Sequence, residues 1–280
     1  MGLYLRPTDL AEALAALAQS PLTVLAGGTD FYPARVGRPL DDDILDIGAL
    51  ATLRGIADAG DHVRIGAATT WSDIVAAELP GWFAGLKLAA REVGGVQIQN
   101  AGTVAGNLCN ASPAADGVPP LLTLDAAVEL ASRRGKRVVP LGDFITGNRR
   151  TARRADELMT AVLVPRPHHA ARAGFAKLGA RKYLVISIVM AAAVLEVDAH
   201  RVAAARVAVG ACSAVARRLP ALEAALFGRP CAAGLGALVS EAHLAPLSPI
   251  DDVRGTAAYR RDAARTVVAR LLDGLASAAP

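Results

Sequence analysis

Leucines at 10, 14 and 17 in "PTDLAEALAAL" recur at helical spacing and predict an amphipathic helix, with Thr8 or Asp9 available as its N-cap. "LTVLAGG" then runs apolar into glycine as a short strand does, and "DDDILDIG" predicts another strand, so a small β-α-β unit closes near Leu53. A second unit opens at "HVRIGAATTWSDIVAAEL": a strand, then a helix capped at Thr70 with Asp73 three residues on, the spacing of a capping box. "GLKLAAREV" is again amphipathic, and "AAVELAS", "KRVVP" and "ELMTAVLVP" alternate or run apolar as strands do. The proline-rich polar stretch "PRPHHAARAG" predicts a linker and a boundary near residue 170.

Beyond it the texture changes. "ISIVMAAAVLEV" and "RVAAARVAVGAC" are two long apolar strands joined by "DAHR", an antiparallel hairpin with no room for a helix. "ARRLPALEAAL", "AAGLGALVSEAH" and "TAAYRRDAARTVVARLLDGL" read as helices, the last with Val267, Val268, Leu271, Leu272 and Leu275 on one face. The pattern thus predicts an N-terminal α/β part followed by a small sheet with a helical layer, without an internal repeat.

Composition narrows this further. The 280 residues suit about two domains. With 53% hydrophobic and 20% charged residues the chain is globular. Aromatics are 4%, so helices must pack largely through small residues. The net charge of +4 is spread out, and its one cluster, "NRRTARRADE", has no interleaved aromatics to stack bases; it reads as a solvated loop, and no nucleic-acid binding is expected. The three cysteines, Cys109, Cys212 and Cys231, have neither metal-ligand nor disulfide spacing, so no zinc or iron–sulfur site is expected in this chain. "MGLYLRPTDLAEAL" lacks a basic-then-apolar signal, and the most apolar run, "YLVISIVMAAAVLEV", is too short to span a bilayer. A cytoplasmic protein without membrane insertion is expected.

Two glycine segments carry the candidate chemistry. Glycine after a strand allows positive φ and close backbone approach, and consecutive N–H groups in such a turn form an anion-binding nest suited to a pyrophosphate. Gly27, Gly28, Thr29 and Asp30 in "VLAGGTDF" meet that requirement, as do Thr103, Ala105, Gly106 and Asn107 in "AGTVAGNLCNASPAAD", with Asn107 and Ser112 adding side-chain donors. Each alone is also compatible with a simple tight turn. Together, in two separate units, they suggest an elongated dinucleotide across a seam. Neither a Walker lysine nor a GxGxxG pattern is present, which disfavours a nucleoside triphosphate or a Rossmann NAD site.

At these residues the chain resembles a known family. "AGGTD" followed by "GTVAGNLCNASPAADGVPPLLTLDA" is similar to the two FAD signatures of the medium, flavin-carrying subunit of molybdenum hydroxylases, which include xanthine, carbon monoxide and nicotine dehydrogenases. The similarity continues through "FAKLGARK", "VAVGACSAVARRLPALEAAL" and "YRRDAARTVVARLL", so it covers essentially the whole chain. The resemblance implies an α+β architecture. A two-subdomain FAD-binding domain of the vanillyl-alcohol-oxidase type would span residues 1–170, divided near 53. A C-terminal domain over 171–280 would hold a three-stranded antiparallel sheet with a helical bundle. It also implies non-covalent FAD, its pyrophosphate on Val24, Leu25, Ala26, Gly27, Gly28, Thr29, Asp30 and Phe31 and on Thr103, Val104, Ala105, Gly106, Asn107 and Ser112. Asp116 would bond a polar part of FAD, Met159 would make an apolar contact, and Lys177 would point at the flavin from the second domain.

By the same resemblance, molybdenum and two 2Fe–2S clusters reside in partner chains, a large molybdenum subunit and a small iron–sulfur subunit, assembled as a dimer of heterotrimers. The expected work is electron relay from those clusters through FAD to an external acceptor. Two departures stand out: Gln99 replaces an arginine common before the second glycine segment, and Leu184 and Val185 stand where an acid is frequent near the flavin. His168 and His169 read as exposed linker residues, Cys109 as a small buried residue, and Trp71, Trp82 and Tyr259 as packing residues. A stand-alone flavin oxidase or reductase of the same fold is the rival reading, and a flavinless scaffold subunit a third.

Overall fold

The computed structural model describes residues 2–37 and 39–277; residues 1, 38 and 278–280 of the expected units lie outside it. The first layer is a parallel sheet of β1 (Tyr4–Leu5), β2 (Thr23–Leu25) and β3 (Ile44–Asp46), ordered β1-β3-β2. Helix α1 (Leu10–Gln19) crosses over between β1 and β2. Its cap is Asp9, not Thr8: the Asp9 carboxylate accepts the Ala11 N–H at 2.7 Å and the Glu12 N–H at 3.3 Å. Ala13 and Leu17 pack on Leu22, Leu45, Ile47 and Leu50. The pattern missed β1, whose two residues are too few for alternation to show.

The second sheet holds β4 (Ile56–Asp58), β5 (His62–Gly66), β6 (Ala127–Ser132) and β7 (Gly135–Pro140). After a small hairpin, β8 (Ile145–Gly147) and β9 (Arg150–Thr151), the chain returns as β10 (Leu158–Pro165) to give the order β4-β5-β10-β6-β7. Every pairing in it is antiparallel, which corrects the expectation of a uniformly α/β N-terminal half. Short returns join β4 to β5 and β6 to β7, and parallel pairing would have needed crossover helices there. The chain's long excursion between β5 and β6 contains α2 (Trp71–Ala76), α3 (Ala84–Glu92), α4 (Val96–Ala101), α5 (Val104–Asn110) and α6 (Val118–Thr123); α7 (Leu141–Phe144) follows β7. Thr70 and Asp73 form the predicted capping box of α2. Ile65, Trp71, Phe83, Leu86, Leu108, Leu121 and Val128 meet in one core, with Trp82 stacked on Phe83.

The C-terminal sheet has four antiparallel strands rather than the expected three: β11 (Ala170–Leu178), β12 (Val189–Asp198), β13 (Arg201–Gly210) and the two-residue edge strand β14 (Arg217–Arg218). Strand β11 begins inside the stretch read as linker. The predicted "DAHR" hairpin is present, with Ala199 and His200 both at positive φ, as a turn matching strand twist requires. Helices α8 (Pro220–Leu226) and α9 (Ala257–Ser277) cover one face. "AAGLGALVSEAH" is not an α-helix but two 3₁₀ turns, Leu235–Leu238 and Glu241–Leu244. There the Asp273 carboxylate of α9 captures the Gly234 and Gly236 N–H groups at 3.1 and 2.8 Å, and Gly236 lies against the Ala269 carbonyl where no side chain fits.

β12 is buried on both faces by strict alternation. Val189, Ala191, Ala193 and Leu195 meet the helical layer, while Met190 and Ala192 meet Ala89 of α3. One buried carboxylate holds this arrangement together. Glu196 Oε1 lies 2.6 Å from Arg206, and its Oε2 accepts the His168 and His169 N–H groups at 3.0 Å each. Arg206 in turn donates to the Thr123 carbonyl at 2.7 Å and pairs with Asp125 at 3.2 Å. Among the described residues no helix is long and apolar enough to cross a membrane, and no group of three potential metal ligands occurs.

Burial alone would raise the Glu196 carboxyl; the Arg206 guanidinium and the two N–H donors outweigh it and hold the carboxyl below the usual range. Its contribution is therefore present above the ordinary carboxylate range and lost as pH falls through the lower folded value. Glu196→Ala removes the carboxylate that Arg206 and the two N–H groups share and leaves Arg206 only Asp125 and the Thr123 carbonyl, so it should destabilise the chain by about 2 kcal/mol at neutral pH. Urea unfolding from pH 7 down to pH 3 should show the gap between wild type and variant closing only at the acid end.

Candidate cofactor site

The first glycine segment leaves β2 at Leu25 and turns over Ala26 to Phe31. Gly28 sits at φ +70°, and a Cβ there would meet the Tyr32 ring at 2.7 Å. Gly27 has no room for a side chain either, because the Ala101 carbonyl lies against it. None of the N–H groups of Gly27, Gly28, Thr29, Asp30 and Phe31 donates to a main-chain carbonyl among the described residues. Five successive free donors form the kind of cradle an anion fills. Arg35 secures the far end: it pairs with Asp42 at 2.7 Å, lies 3.7 Å over the Phe31 ring and donates to the Phe31 carbonyl.

The second segment is a helix start rather than an open nest. Thr103 caps α5, its Oγ1 accepting the Gly106 N–H at 3.0 Å. The Val104 N–H is taken by Thr69 and the Asn107 N–H by the Thr103 carbonyl. Most of the donors expected here are therefore consumed by the helix, because a threonine one residue before an apolar turn caps it. Ser112 likewise accepts the Ala114 N–H within its own turn. What α5 offers instead is Asn107, whose Oδ1 is buried without a hydrogen-bond partner. A buried unpaired amide oxygen is costly in a folded chain and marks a place for a ligand donor.

The two segments meet. Gly27 abuts Ala101, a Cβ on Gly102 would come within 3.4 Å of Thr29 Oγ1, and Asn110 donates to the Asp30 carboxylate at 2.7 Å. Trp71 lies beneath them, its main-chain N–H on the Gly102 carbonyl and its ring against Gly102 and Gly117.

Asp116 and Lys177 lie together elsewhere on the seam. Lys177 Nζ is 2.6 Å from Asp116 Oδ2 and 3.2 Å from the Glu92 carbonyl, while Ser187 donates to Asp116 Oδ1 at 2.7 Å. Burial pushes the Asp116 carboxyl up, and Lys177 and Ser187 pull it back only in part. In this structure Asp116 is thus committed to Lys177 across the seam between α6 and β11. Lys177 borders a cleft of about 430 Å³ with Leu88, Glu92, Phe175, Arg181 and Val185, beside the exposed Tyr183, Leu184 and Ile186. Met159 is 2% exposed and packs in the core of the second sheet.

Gln99, in place of the expected arginine, donates to the Arg91 carbonyl at 3.0 Å and closes the end of α3. Cys109 is half-buried rather than buried as expected, and desolvation of its sulfur pushes the thiol up to about 11, so it stays protonated near neutral pH. His168 and His169 are exposed, as expected. Sequence reasoning missed Asn110, Ser187 and Arg149. Asn110 lies in the quoted motif and Arg149 in the basic cluster, but only folding brings Arg149 to Asn110. Nothing in the sequence marks Ser187.

Comparison with known proteins agrees with this geometry. The family of FAD binding domains in molybdopterin dehydrogenase matches residues 1–167, and the carbon monoxide dehydrogenase flavoprotein C-terminal domain matches residues 175–275. The chain is 31% identical to the putative xanthine dehydrogenase FAD-binding subunit of Escherichia coli (strain K12) over 99% of its own length and 96% of that protein's. It is 38% identical to the nicotinate dehydrogenase FAD-subunit of Eubacterium barkeri over 70% of this chain and 69% of that one. Its fold superposes on carbon monoxide dehydrogenase from Hydrogenophaga pseudoflava with a TM-score of 0.88 at 29% identity, covering 99% of this chain and 98% of that one. With two consecutive domain matches spanning nearly its whole length, this chain belongs to the FAD-binding subunits of the molybdopterin dehydrogenase family.

Asp116→Asn should destabilise the fold by about 3 kcal/mol, since it leaves the Lys177 ammonium buried beside a neutral amide. Asp116→Asn combined with Lys177→Met should recover most of that loss in a denaturant double-mutant cycle.

Proposed function

We propose that this chain binds FAD without a covalent bond and serves as the electron-transfer subunit of a molybdenum hydroxylase. In that role it accepts electrons from 2Fe–2S clusters of a partner and passes them to an external acceptor. The observation that carries the reading is the cradle of five unengaged N–H groups, Gly27 to Phe31, packed against a helix that presents the unpartnered Asn107 Oδ1. The cradle would take the pyrophosphate, with Val24, Leu25 and Ala26 leading into it. Thr103, Val104, Ala105, Gly106 and Ser112 would shape the facing wall, and Asn107 would accept a hydrogen bond from the cofactor. Lys177 would face the flavin from β11, with Asp116 holding the ammonium in place; Met159 would act from the core behind the site. FAD supplies reversible one- and two-electron redox chemistry; this chain positions it and tunes its potential through hydrogen bonds and nearby charge.

The partners follow from the same reading. A large molybdenum subunit and a small 2Fe–2S subunit, in a cytoplasmic dimer of heterotrimers, complete the assembly. The functional division would run from residues 1–170, which hold FAD, to 171–280, which close over it.

The purified chain should be yellow, and acid precipitation should release all flavin to the supernatant; flavin retained in the pellet would contradict a non-covalent site. Anaerobic addition of the organic substrate should bleach the flavin in the assembled complex and leave the isolated chain oxidised. Comparable substrate turnover by the isolated chain would instead establish a stand-alone flavoenzyme.

A further inference from the structure

Three segments far apart in sequence converge at the C-terminal end of α5. The Asp30 carboxylate accepts from Asn110 Nδ2 at 2.7 Å, and Arg149 Nη1 donates to Asn110 Oδ1 at 2.5 Å. The Arg149 N–H binds the Ala111 carbonyl at 2.9 Å, just beyond the helix. Arg149 itself stands at φ +54° and Ala111 at φ +48°, conformations uncommon for residues with a side chain. The tip of the β8–β9 hairpin is therefore seated on α5 through both its main chain and its side chain.

This relay has a direction. The Asn110 amide is used at both ends, its NH₂ towards a carboxylate and its oxygen towards a guanidinium. Reversing the amide would set NH₂ against guanidinium and oxygen against carboxylate, so Arg149 fixes which end Asp30 meets. Asp30 lies within the row of unengaged N–H groups, and an aspartate readily bonds main-chain N–H groups of its own turn. A carboxylate free to do so would occupy the cradle as an internal anion. We propose that Arg149, acting through Asn110, is a positioning residue for the first glycine segment: it holds the Asp30 carboxylate against α5 and keeps the cradle open for the pyrophosphate. The inference rests on the FAD reading above and goes beyond it, since neither glycine motif contains Arg149.

The test measures FAD affinity of the full chain by quenching of flavin fluorescence, with thermal unfolding of the flavin-free protein as a control. Arg149→Met should weaken FAD binding roughly fivefold, the scale of one exposed charged contact, and leave the apoprotein midpoint unchanged. Asn110→Ala should do the same, with no further loss in the double variant. In an Asp30→Ala background, which has no carboxylate to misplace, Arg149→Met should cost less than about twofold. An equal loss in both backgrounds, or a loss that merely follows a lowered apoprotein midpoint, would overturn the relay while FAD binding itself stands. A wild-type chain that binds no FAD would overturn the function as well.

Discussion

The architecture of this chain turns on one close approach, the main chain of Gly27 against the Ala101 carbonyl. A Cβ at residue 27 would occupy the carbonyl's place, so the parallel first sheet and the helices of the second unit close on each other only because both faces are bare backbone. Trp71 continues the same logic one layer down. Its indole fills the space that a side chain at Gly117 would need and lies against Gly102, and its main-chain N–H donates to the Gly102 carbonyl. The glycines of the two motifs are thus spaced for packing as much as for a ligand.

Once the seam is closed, the polar groups along it divide into two kinds. Those of the second motif are largely consumed: Thr103 caps α5, Ser112 binds its own turn, and Asp116 holds Lys177. Those of the first are left open, together with Asn107 Oδ1. A buried acceptor is rarely left unpaired without reason, and Asn107 Oδ1 is one, on the helix whose end Asp30 of the first motif meets through Asn110. The two motifs therefore play unequal parts, one supplying the open cradle and the other the rigid wall against which it is held.

Much of the fold could be read from local pattern. The α1 stripe, the Thr70–Asp73 capping box, the Asp198–Arg201 hairpin and the apolar face of α9 are all decided within a few residues of themselves. The misreadings share a cause. "AAGLGALVSEAH" has helical composition, yet Asp273, more than thirty residues away, takes its glycine N–H groups and the helix gives way to 3₁₀ turns. Strand β11 hid behind prolines and histidines because its identity comes from pairing with β12.

By itself the sequence determined the first glycine turn, the Thr70 cap, much of the strand and helix periodicity and, through two motifs in order, the family. These are properties of neighbouring residues, set by φ preference, side-chain capping and alternation. Only the tertiary structure decided that Asp116 faces Lys177, that Glu196 gathers the linker and Arg206, and that an arginine in an apparently solvated cluster reaches Asp30 through Asn110. The Glu196–Arg206 pair spans a single hairpin, but the other contacts join residues tens of positions apart. Their partners are chosen by which elements pack together, a choice that no local pattern encodes.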